Sequence, residues 1–293
     1  MPTPSTAPGY RDIRAETVDH IAWITIDREW VLNAFREQTL DELAEAIGAT
    51  REDPSIVAVV IRGAGDRAFS AGGDFHAMMR LNKINGHLWN DRMLRLAMTI
   101  RGLPVPVIAM VNGPCVGGGH ELALWCDLVI SAEDGVFGQT GAKVGACPTV
   151  GATQYLPRMV GERLAREMIF LARTLSAPEA LAAGLINKVV PKAELEAATL
   201  EWCERLKGLS GQTLRATKKS LNFESDELYA SWQHGMELLN SVWGTPESLE
   251  GMQAFLDKRP PDFMRFREAA KVEVDRYLDG LAVDDNQTPR PAG

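Results

Sequence analysis

Three consecutive glycines between a hydrophobic segment and an apparent helix constrain this chain more than any other feature. The segment V-N-G-P-C-V-G-G-G-H-E-L-A-L covers residues 111–124 and follows a hydrophobic run at 105–111. Free N–H groups at a helix start form an anion site, which glycine lets a ligand approach closely. Such a site stabilises charge developing on a carbonyl oxygen. Glu121, three residues after Gly118, shares that helix face and is suited to proton transfer.

A second glycine-rich turn follows the predicted strand at 56–62. The sequence A-F-S-A-G-G-D-F-H-A-M covers residues 68–78, and Asp74 is a good N-cap for a helix that begins near Phe75. Each turn alone has a purely structural explanation, because glycine runs close tight turns and acidic residues cap helices. Two such turns together can aim two N–H donors at one oxygen, which favours a functional site.

Composition excludes several classes of protein. The chain has 293 residues, 45% of them hydrophobic, with a net charge of -8 and a pI of about 5.3. That charge argues against nucleic-acid binding, which needs clustered Lys and Arg. The four cysteines form no CxxC pair and have no His at ligand spacing, so we expect no metal site and no disulfide framework. We also expect a cytoplasmic protein without a membrane partner, because no secretory signal and no apolar run of about 20 residues is present.

The hydrophobic pattern predicts an alternating α/β region followed by a helical one. Strands are predicted at 18–26, 56–62, 105–111, 128–131 and 186–190, and helices between them at 37–50, 75–81, 88–101 and 119–125. Further helices are predicted at 151–159, 162–171, 177–183, 192–207, 211–222, 226–243 and 246–257, with an extra amphipathic helix at 262–280. We expect that last helix to pack on the surface or between subunits rather than to cover the site.

The two glycine-rich turns, read together, resemble the crotonase (enoyl-CoA hydratase/isomerase) superfamily. The motifs A-F-S-A-G-G-D and N-G-x-x-x-G-G-G-x-E-L carry the resemblance. The segments F-G-Q-T-G-A-K-V-G, G-L-I-N-K-V-V-P and K-R-P-P-D-F extend it in the expected order over roughly residues 15–265. The resemblance implies a spiral of ββα units and a C-terminal helical region that builds trimers, often paired into hexamers.

The predicted organisation follows from that resemblance and from the composition of the two ends. Residues 11–205 are assigned to the ββα spiral core and residues 206–280 to the helical oligomerisation region. The flanking segments 1–10 and 281–293 are rich in Pro, Asp and Thr, and we predict that they are disordered.

The resemblance also implies an acyl-CoA thioester substrate, so coenzyme A belongs to the substrate and no separate cofactor is expected. The thioester oxygen would be held by the N–H groups of Gly73 and Gly118, with Glu121 as the proton-transfer group. The residues expected to bind substrate are Arg28, Ala34, Ala71, Asp74, Phe75, His76, Gly141, Cys147 and Lys258. Arg28 and Ala34 match the family's R-P-x-x-x-N-A motif, in which the usual Pro is here Glu29.

Departures from the family pattern bear on the chemistry. Hydratases of this family carry a second glutamate in F-G-x-x-E, and that position is Gly141 here. We expect this glycine to leave space for a bulkier substrate, a second water or a small anion. F-G-Q-T-G-x-K-V-G and G-G-G-H resemble the naphthoate-synthase branch, which lacks a glutamate at the position of Glu121 and has an aspartate at that of Pro148. The combination of Glu121 with Gly141 is closer to that of relatives that process carbon rings than to that of the synthases.

The sequence therefore predicts hydration of an enoyl-CoA or a cyclic acyl-CoA through a stabilised enolate. Two alternatives stay open, hydrolytic C–C cleavage of a cyclic β-oxoacyl-CoA and enoyl-CoA isomerisation. Naphthoyl-CoA synthesis and a non-catalytic binding role are less favoured. His76 is expected on a helix surface rather than as a gate, and His120 in packing. No partner that would activate Cys147 as a nucleophile is evident.

Overall fold

Nine strands form two sheets in the part of the chain that the computed structural model describes, residues 9–287, with side chains to residue 279. In chain order they are β1 (Ile13–Val18), β2 (Ile21–Ile26), β3 (Ala58–Gly63), β4 (Val107–Val111), β5 (Pro114–Val116), β6 (Leu128–Ala132), β7 (Val136–Gly138), β8 (Thr174–Ser176) and β9 (Lys188–Val190). The larger sheet has the order β1-β2-β3-β4-β6-β9, and the smaller one β5-β7-β8. The predicted α/β class is confirmed.

The helices surround these sheets and then continue alone. They are α1 (Glu37–Ala49), α2 (Phe75–Met78), α3 (Gly86–Arg101), α4 (Gly118–Trp125), α5 (Ala152–Val160), α6 (Glu162–Phe170), α7 (Ala177–Ala182), α8 (Leu195–Lys207), α9 (Gly211–Asp226), α10 (Tyr229–Val242), α11 (Pro246–Leu256) and α12 (Met264–Gln287). Most lie within a few residues of their predicted bounds; α2 ends three residues earlier than predicted, and α12 ends seven residues later.

A repeated ββα step builds the spiral. β4 lies in the large sheet, β5 follows in the small sheet, and α4 comes next; β6, β7 and α5 repeat the order. β3 begins a third step, in which Ser70 forms a parallel bridge with Cys115 of β5 before α2 begins. Because the strands in the large sheet pair in parallel from β2 onward, each step ends at the same side of the molecule.

Both faces of the large sheet are buried, as expected for a mainly parallel sheet between helices. All six residues of β2 are buried: Ile24 and Ile26 pack into the main core, and Trp23 packs on the opposite face. On the main-core side, α1 presents Leu40, Leu43 and Ile47 at helical spacing. α8 covers the other face.

Two features of the strand predictions were wrong. The predicted strand at 18–26 contains only the last residue of β1, then a turn and the whole of β2, because Asp19 and His20 adopt positive φ values of 50° and 66° and reverse the chain. The rest of β1 was not predicted. The three-residue strands β5, β7 and β8 were missed, since strands this short carry no readable alternation.

The C-terminal region is helical as predicted, and Glu250 of α11 fixes the start of α12. Its carboxylate accepts hydrogen bonds from Arg259 (2.6 and 3.0 Å), from the Asp262 N–H (2.9 Å) and from Arg265 (3.1 Å). The α12 backbone continues through residues 281–287, beyond the predicted end at 280. The rest of the segments predicted to be disordered, 1–8 and 288–293, lies outside the described residues. The role of these helices in trimers stays a prediction.

Within residues 9–287, no helix combines the length and apolarity that crossing a bilayer demands. Nor do the side chains described, those of residues 9–279, bring three His, Cys, Asp or Glu groups together as a possible metal site.

Candidate active site

The step from β4 through β5 to α4 places Gly118 and Glu121. α4 begins at Gly118, directly after the short β5, and Gly117 N–H is held by the Gly138 carbonyl of β7 at 2.9 Å. The first helical bond runs from Glu121 N–H to the Gly117 carbonyl at 3.0 Å. The Gly118 N–H therefore points out of the helix start, with no acceptor among the described residues.

The Gly72–Gly73 turn is held in place by backbone bonds to Phe35. Phe35 N–H donates to the Gly72 carbonyl and Asp74 N–H donates to the Phe35 carbonyl, both at 2.7 Å. Ser70 Oγ accepts from Gly72 N–H at 3.1 Å. In residues 9–287, nothing accepts a hydrogen bond from Gly73 N–H. The turn thus presents a fixed donor that the protein itself leaves unused.

The two turns are in direct contact, and glycine is what allows it. Gly72 has a φ of +91°, and a Cβ atom there would lie 2.7 Å from Gly118 N. Any side chain at position 72 would push the two turns apart. Gly73, Gly118 and Glu121 all line one pocket, so the structure brings together the three residues predicted to form the reactive centre.

Glu121 carries a buried carboxyl group that accepts hydrogen bonds from the backbone. The residue is 5% exposed, and Oε1 accepts from Val150 N–H at 2.9 Å, with a second backbone bond from Ala152. Burial raises the pKa of Glu121 to about 8, because removing water penalises the charged form; the two backbone donors oppose that effect. A carboxyl group with a pKa near neutrality can both take and return a proton.

The pocket lining is mainly apolar and includes, besides this carboxyl, the polar side chains of Gln139 and Thr140. The space that it lines, counted together with the open region at its mouth, is about 640 Å³. One part of the wall comes from α3 and from the end of α10: Trp89, Met93, Leu239 and Trp243. Of the described residues that line it, only Glu121 is acidic.

Gly141 lines the pocket, but the space beside it is already filled. A Cβ atom at Gly141 would lie 2.5 Å from the Ala146 carbonyl oxygen. The Gly141 carbonyl accepts from the N–H groups of Val144 and Ala146, both at 3.0 Å, and this closes the loop tightly. The expectation that Gly141 leaves open space on its Cβ side was therefore wrong, because the following loop folds back over it.

Gln139 is a pocket residue that sequence reasoning missed. It directly follows β7, is 1% exposed and lines the pocket, and its Nε2 lies 3.2 Å from His120 Nδ1. The motif F-G-Q-T-G pointed to this segment, but nothing in the sequence pairs residues 120 and 139. His120 itself is buried and lies edge-on to Phe137, in agreement with the packing role predicted for it.

Arg28 lies beneath the Gly73 turn and outside the pocket lining. Its guanidinium is 6% exposed and donates to the Ala34 carbonyl at 2.5 Å and to Asp74 at 2.9 Å. Asp74 also caps α2 by accepting from His76 N–H at 2.9 Å, so the predicted cap is confirmed. Arg28 and Ala34 are hydrogen-bonded to each other. Their predicted contacts with CoA stay predictions.

The other predicted substrate contacts fall into two groups. Ala71, Phe75 and Cys147 line the pocket, and burial raises the pKa of the Cys147 thiol, which disfavours a nucleophilic thiolate. His76 and Lys258 are exposed and lie outside the lining. Their predicted contacts with the substrate stay predictions.

The sequence matches the model of one protein family over most of its length. The family is described as enoyl-CoA hydratase/isomerase, and the match covers residues 16–266. The chain belongs to the enoyl-CoA hydratase/isomerase family. Its two glycine turns and its buried Glu121 are thus features of a crotonase-type, acyl-CoA-processing protein.

Solved structures of this family share the fold. An enoyl-CoA hydratase from Mycobacterium avium subsp. paratuberculosis K-10 is 30% identical, with a TM-score of 0.80 over 87% of this chain and 99% of that one. An enoyl-CoA hydratase from Bacillus anthracis is 32% identical, with a TM-score of 0.71 over 86% and 99%. A methylmalonyl-CoA decarboxylase in complex with 2-nitronate-propionyl-CoA is 28% identical, with a TM-score of 0.77 over 87% and 99%. Because hydratases and a decarboxylase share this family's fold, the reaction must be argued from the site.

Proposed function

We propose that this family member adds water to the double bond of an enoyl-CoA thioester, including esters with a cyclic acyl group. One observation carries the proposal: the buried carboxyl of Glu121 shares a pocket with the unused N–H groups of Gly73 and Gly118. The proposal pairs a group that moves protons with two donors for an oxyanion. Coenzyme A enters as part of the substrate.

The two N–H groups would stabilise the enolate. In this account the thioester carbonyl oxygen lies between Gly73 and Gly118 and gains negative charge as water attacks C3. Fixed donors in a site with little water stabilise such charge strongly, and losing one raises the barrier by about 3 kcal/mol. The backbone bonds that hold the Gly73 turn keep its donor in place before the substrate arrives.

Glu121 would serve as base and then as acid. The ionised carboxylate takes a proton from water while the water oxygen bonds to C3. The C2–C3 π electrons move towards the thioester and form the enolate. Glu121 then returns the same proton to C2 as the carbonyl re-forms, so one water is consumed and the enzyme is unchanged. A pKa of about 8 suits both steps, because the ionised and the protonated carboxyl are both populated at neutral pH.

The apolar wall favours a carbon-rich acyl group. Trp89 and Trp243 are nearly fully buried, and Asn90 joins their two elements by accepting from Trp243 Nε1 at 3.4 Å and donating to the Met236 carbonyl at 3.0 Å. Indole and aliphatic surfaces gain free energy when an apolar ligand covers them. A short or cyclic hydrocarbon acyl group fits this wall better than a charged one.

Two alternatives use the same residues and give different products. With Glu121 as the sole acidic group in the described lining, an isomerase would move one proton between carbons and take up no water. A hydrolase would direct water onto a ring ketone, and the ring would open to a new carboxylate. Neither requires the second glutamate whose position is held by Gly141.

Kinetics of Glu121→Gln test the proposal. We expect kcat on the best enoyl-CoA substrate to fall by at least about a thousandfold, while KM changes little, because the amide keeps the shape and cannot move a proton. The rate of the unaltered protein should rise with pH towards a plateau above about pH 8, as the carboxyl ionises. Turnover of Glu121→Gln within a few-fold of the original enzyme would contradict the assignment. Glu133→Gln, outside the pocket lining, is the matched control.

A further inference from the structure

The pairing of β5 with β7 places Gln139 beside the turn that carries the Gly118 N–H. β5 and β7 pair in parallel with Val116 opposite Gly138, so the next residues along, Gly117 and Gln139, are neighbours. Gly117 N–H donates to the Gly138 carbonyl, which fixes this register at the last pair. Gln139 is 1% exposed, and its small exposed surface faces the pocket that it lines.

The orientation of the Gln139 amide and the tautomer of His120 are coupled through one contact. The 3.2 Å contact joins Gln139 Nε2, which is a donor, to His120 Nδ1, which must then accept. The imidazole proton accordingly lies on Nε2, a buried atom with no partner among the described residues. Burial lowers the pKa of His120 to about 4, so the ring is neutral near neutral pH and one of its two nitrogens is an acceptor.

The amide oxygen is left for a ligand. With Nε2 turned towards His120, Gln139 Oε1 receives no hydrogen bond from any residue in the described range. The side chain is fixed between β7 and α4, and a fixed acceptor loses little entropy when it binds. Gln139 is therefore an oriented hydrogen-bond acceptor in a wall that is otherwise mainly apolar.

We propose that Gln139 Oε1 accepts a hydrogen bond from the water that adds to C3, which becomes the 3-hydroxyl of the product. His120 is a positioning residue that acts through Gln139. An amide is neither an acid nor a base at these pH values, so Gln139 orients one O–H of the water while Glu121 takes the other proton. This inference rests on the proposed hydration, and it supplies the water-orienting contact that Gly141 does not provide.

A binding experiment separates this inference from the reaction itself. Isothermal titration calorimetry would compare 3-hydroxybutyryl-CoA with butyryl-CoA, which lacks only the hydroxyl. Every protein titrated carries Glu121→Gln, so that the hydroxy ester is not dehydrated during the measurement. We expect the Glu121→Gln protein to bind the hydroxy ester about tenfold more tightly, in line with one well-oriented hydrogen bond. Adding Gln139→Leu should abolish the preference, and adding the exposed Gln233→Leu should keep it. Equal affinity of the Glu121→Gln protein for both esters would overturn the inference, even if the original protein hydrates crotonyl-CoA.

A double-mutant cycle tests the role of His120. His120→Phe leaves the amide free to rotate, so the preference should fall severalfold, whereas the exposed His87→Phe should leave it intact. In the Gln139→Leu background, His120→Phe should cost nothing further, because its effect passes through Gln139. His120→Asn, whose Oδ1 can replace Nδ1 as acceptor, should restore part of the preference. Additive losses, or no rescue by a folded His120→Asn protein, would show that His120 is only structural.

Discussion

At the scale of single residues, burial gives Glu121 its chemical character. An exposed glutamate would be almost fully ionised at neutral pH and a weak proton donor. Here burial favours the neutral form, and backbone donors from Val150 and Ala152 favour the charged one. The balance keeps both forms accessible. The same balance ties the stability of the fold to pH.

The pKa of Glu121 predicts how stability changes with pH. Its value is raised in the folded state, so this group stabilises the fold fully below its usual value of 4.5 and loses that effect as pH rises through about 8. Relative to Glu121→Gln, the free energy of unfolding of the original protein should fall by about 1.4 kcal/mol for each pH unit between roughly pH 5 and 8.

Urea unfolding of both proteins at several pH values measures this difference directly. The amide variant serves as the reference, since it retains the shape of the side chain and does not titrate. A stability difference that stays constant from pH 5 to 8 would show that Glu121 is ionised throughout and is not destabilised by burial.

The residues of the reactive centre were accessible from sequence, and their neighbours were not. Gly73, Gly118 and Glu121 stand in motifs whose local chemistry can be read directly. The Gln139–His120 contact depends on the pairing of β5 with β7, two strands of three residues each. The burial of Arg28 depends on Asp74, 46 positions away. Contacts set by register and by long-range packing leave no local pattern.

At the scale of elements, the loop after β7 decides what position 141 can hold. Because Ala146 folds back over Gly141, Gly141→Ala should destabilise the protein by about 1–3 kcal/mol, the usual cost of forcing extra atoms into packed space. Chemical denaturation measures this, with Gly211→Ala as the control, since a Cβ there meets nothing within 4 Å.

The same clash predicts that Gly141→Glu does not create a two-carboxylate hydratase, because the new side chain needs the loop to move. A stable Gly141→Glu protein with faster crotonyl-CoA hydration would show that the loop yields easily.

The junction of α11 and α12 depends on one carboxylate. Glu250→Gln removes the charge that Arg259 and Arg265 share, so α12 should separate from α11 more often. We expect backbone amides at 258–266 to exchange hydrogen roughly tenfold faster, as measured by mass spectrometry. Glu268→Gln, exposed on α12, should leave exchange there unchanged. Unaltered exchange in Glu250→Gln would show that apolar packing alone holds the helix.

At the scale of the whole molecule, the repeated ββα step explains why separate motifs form one site. Each step ends with a strand-to-helix turn on the same side, so turns 45 residues apart in sequence, at Gly73 and Gly118, meet across the Ser70–Cys115 bridge. The helical region then closes the pocket with Leu239 and Trp243. The alternation of elements predicted the class of fold, while the spiral arrangement came from the family resemblance.

The measurement that tests the account most directly is the structure of the product formed in ¹⁸O-water. Crotonyl-CoA and cyclohexenecarbonyl-CoA would be incubated with the purified protein, and the products examined by NMR and mass spectrometry. Hydration predicts one ¹⁸O atom in a hydroxyl at C3 with the carbon skeleton intact. Parallel incubation with 2-oxocyclohexanecarbonyl-CoA checks for hydrolysis. Hydration would be contradicted by turnover confined to that ester, with ¹⁸O in a new carboxylate. It would also be contradicted by an unlabelled product with a shifted double bond.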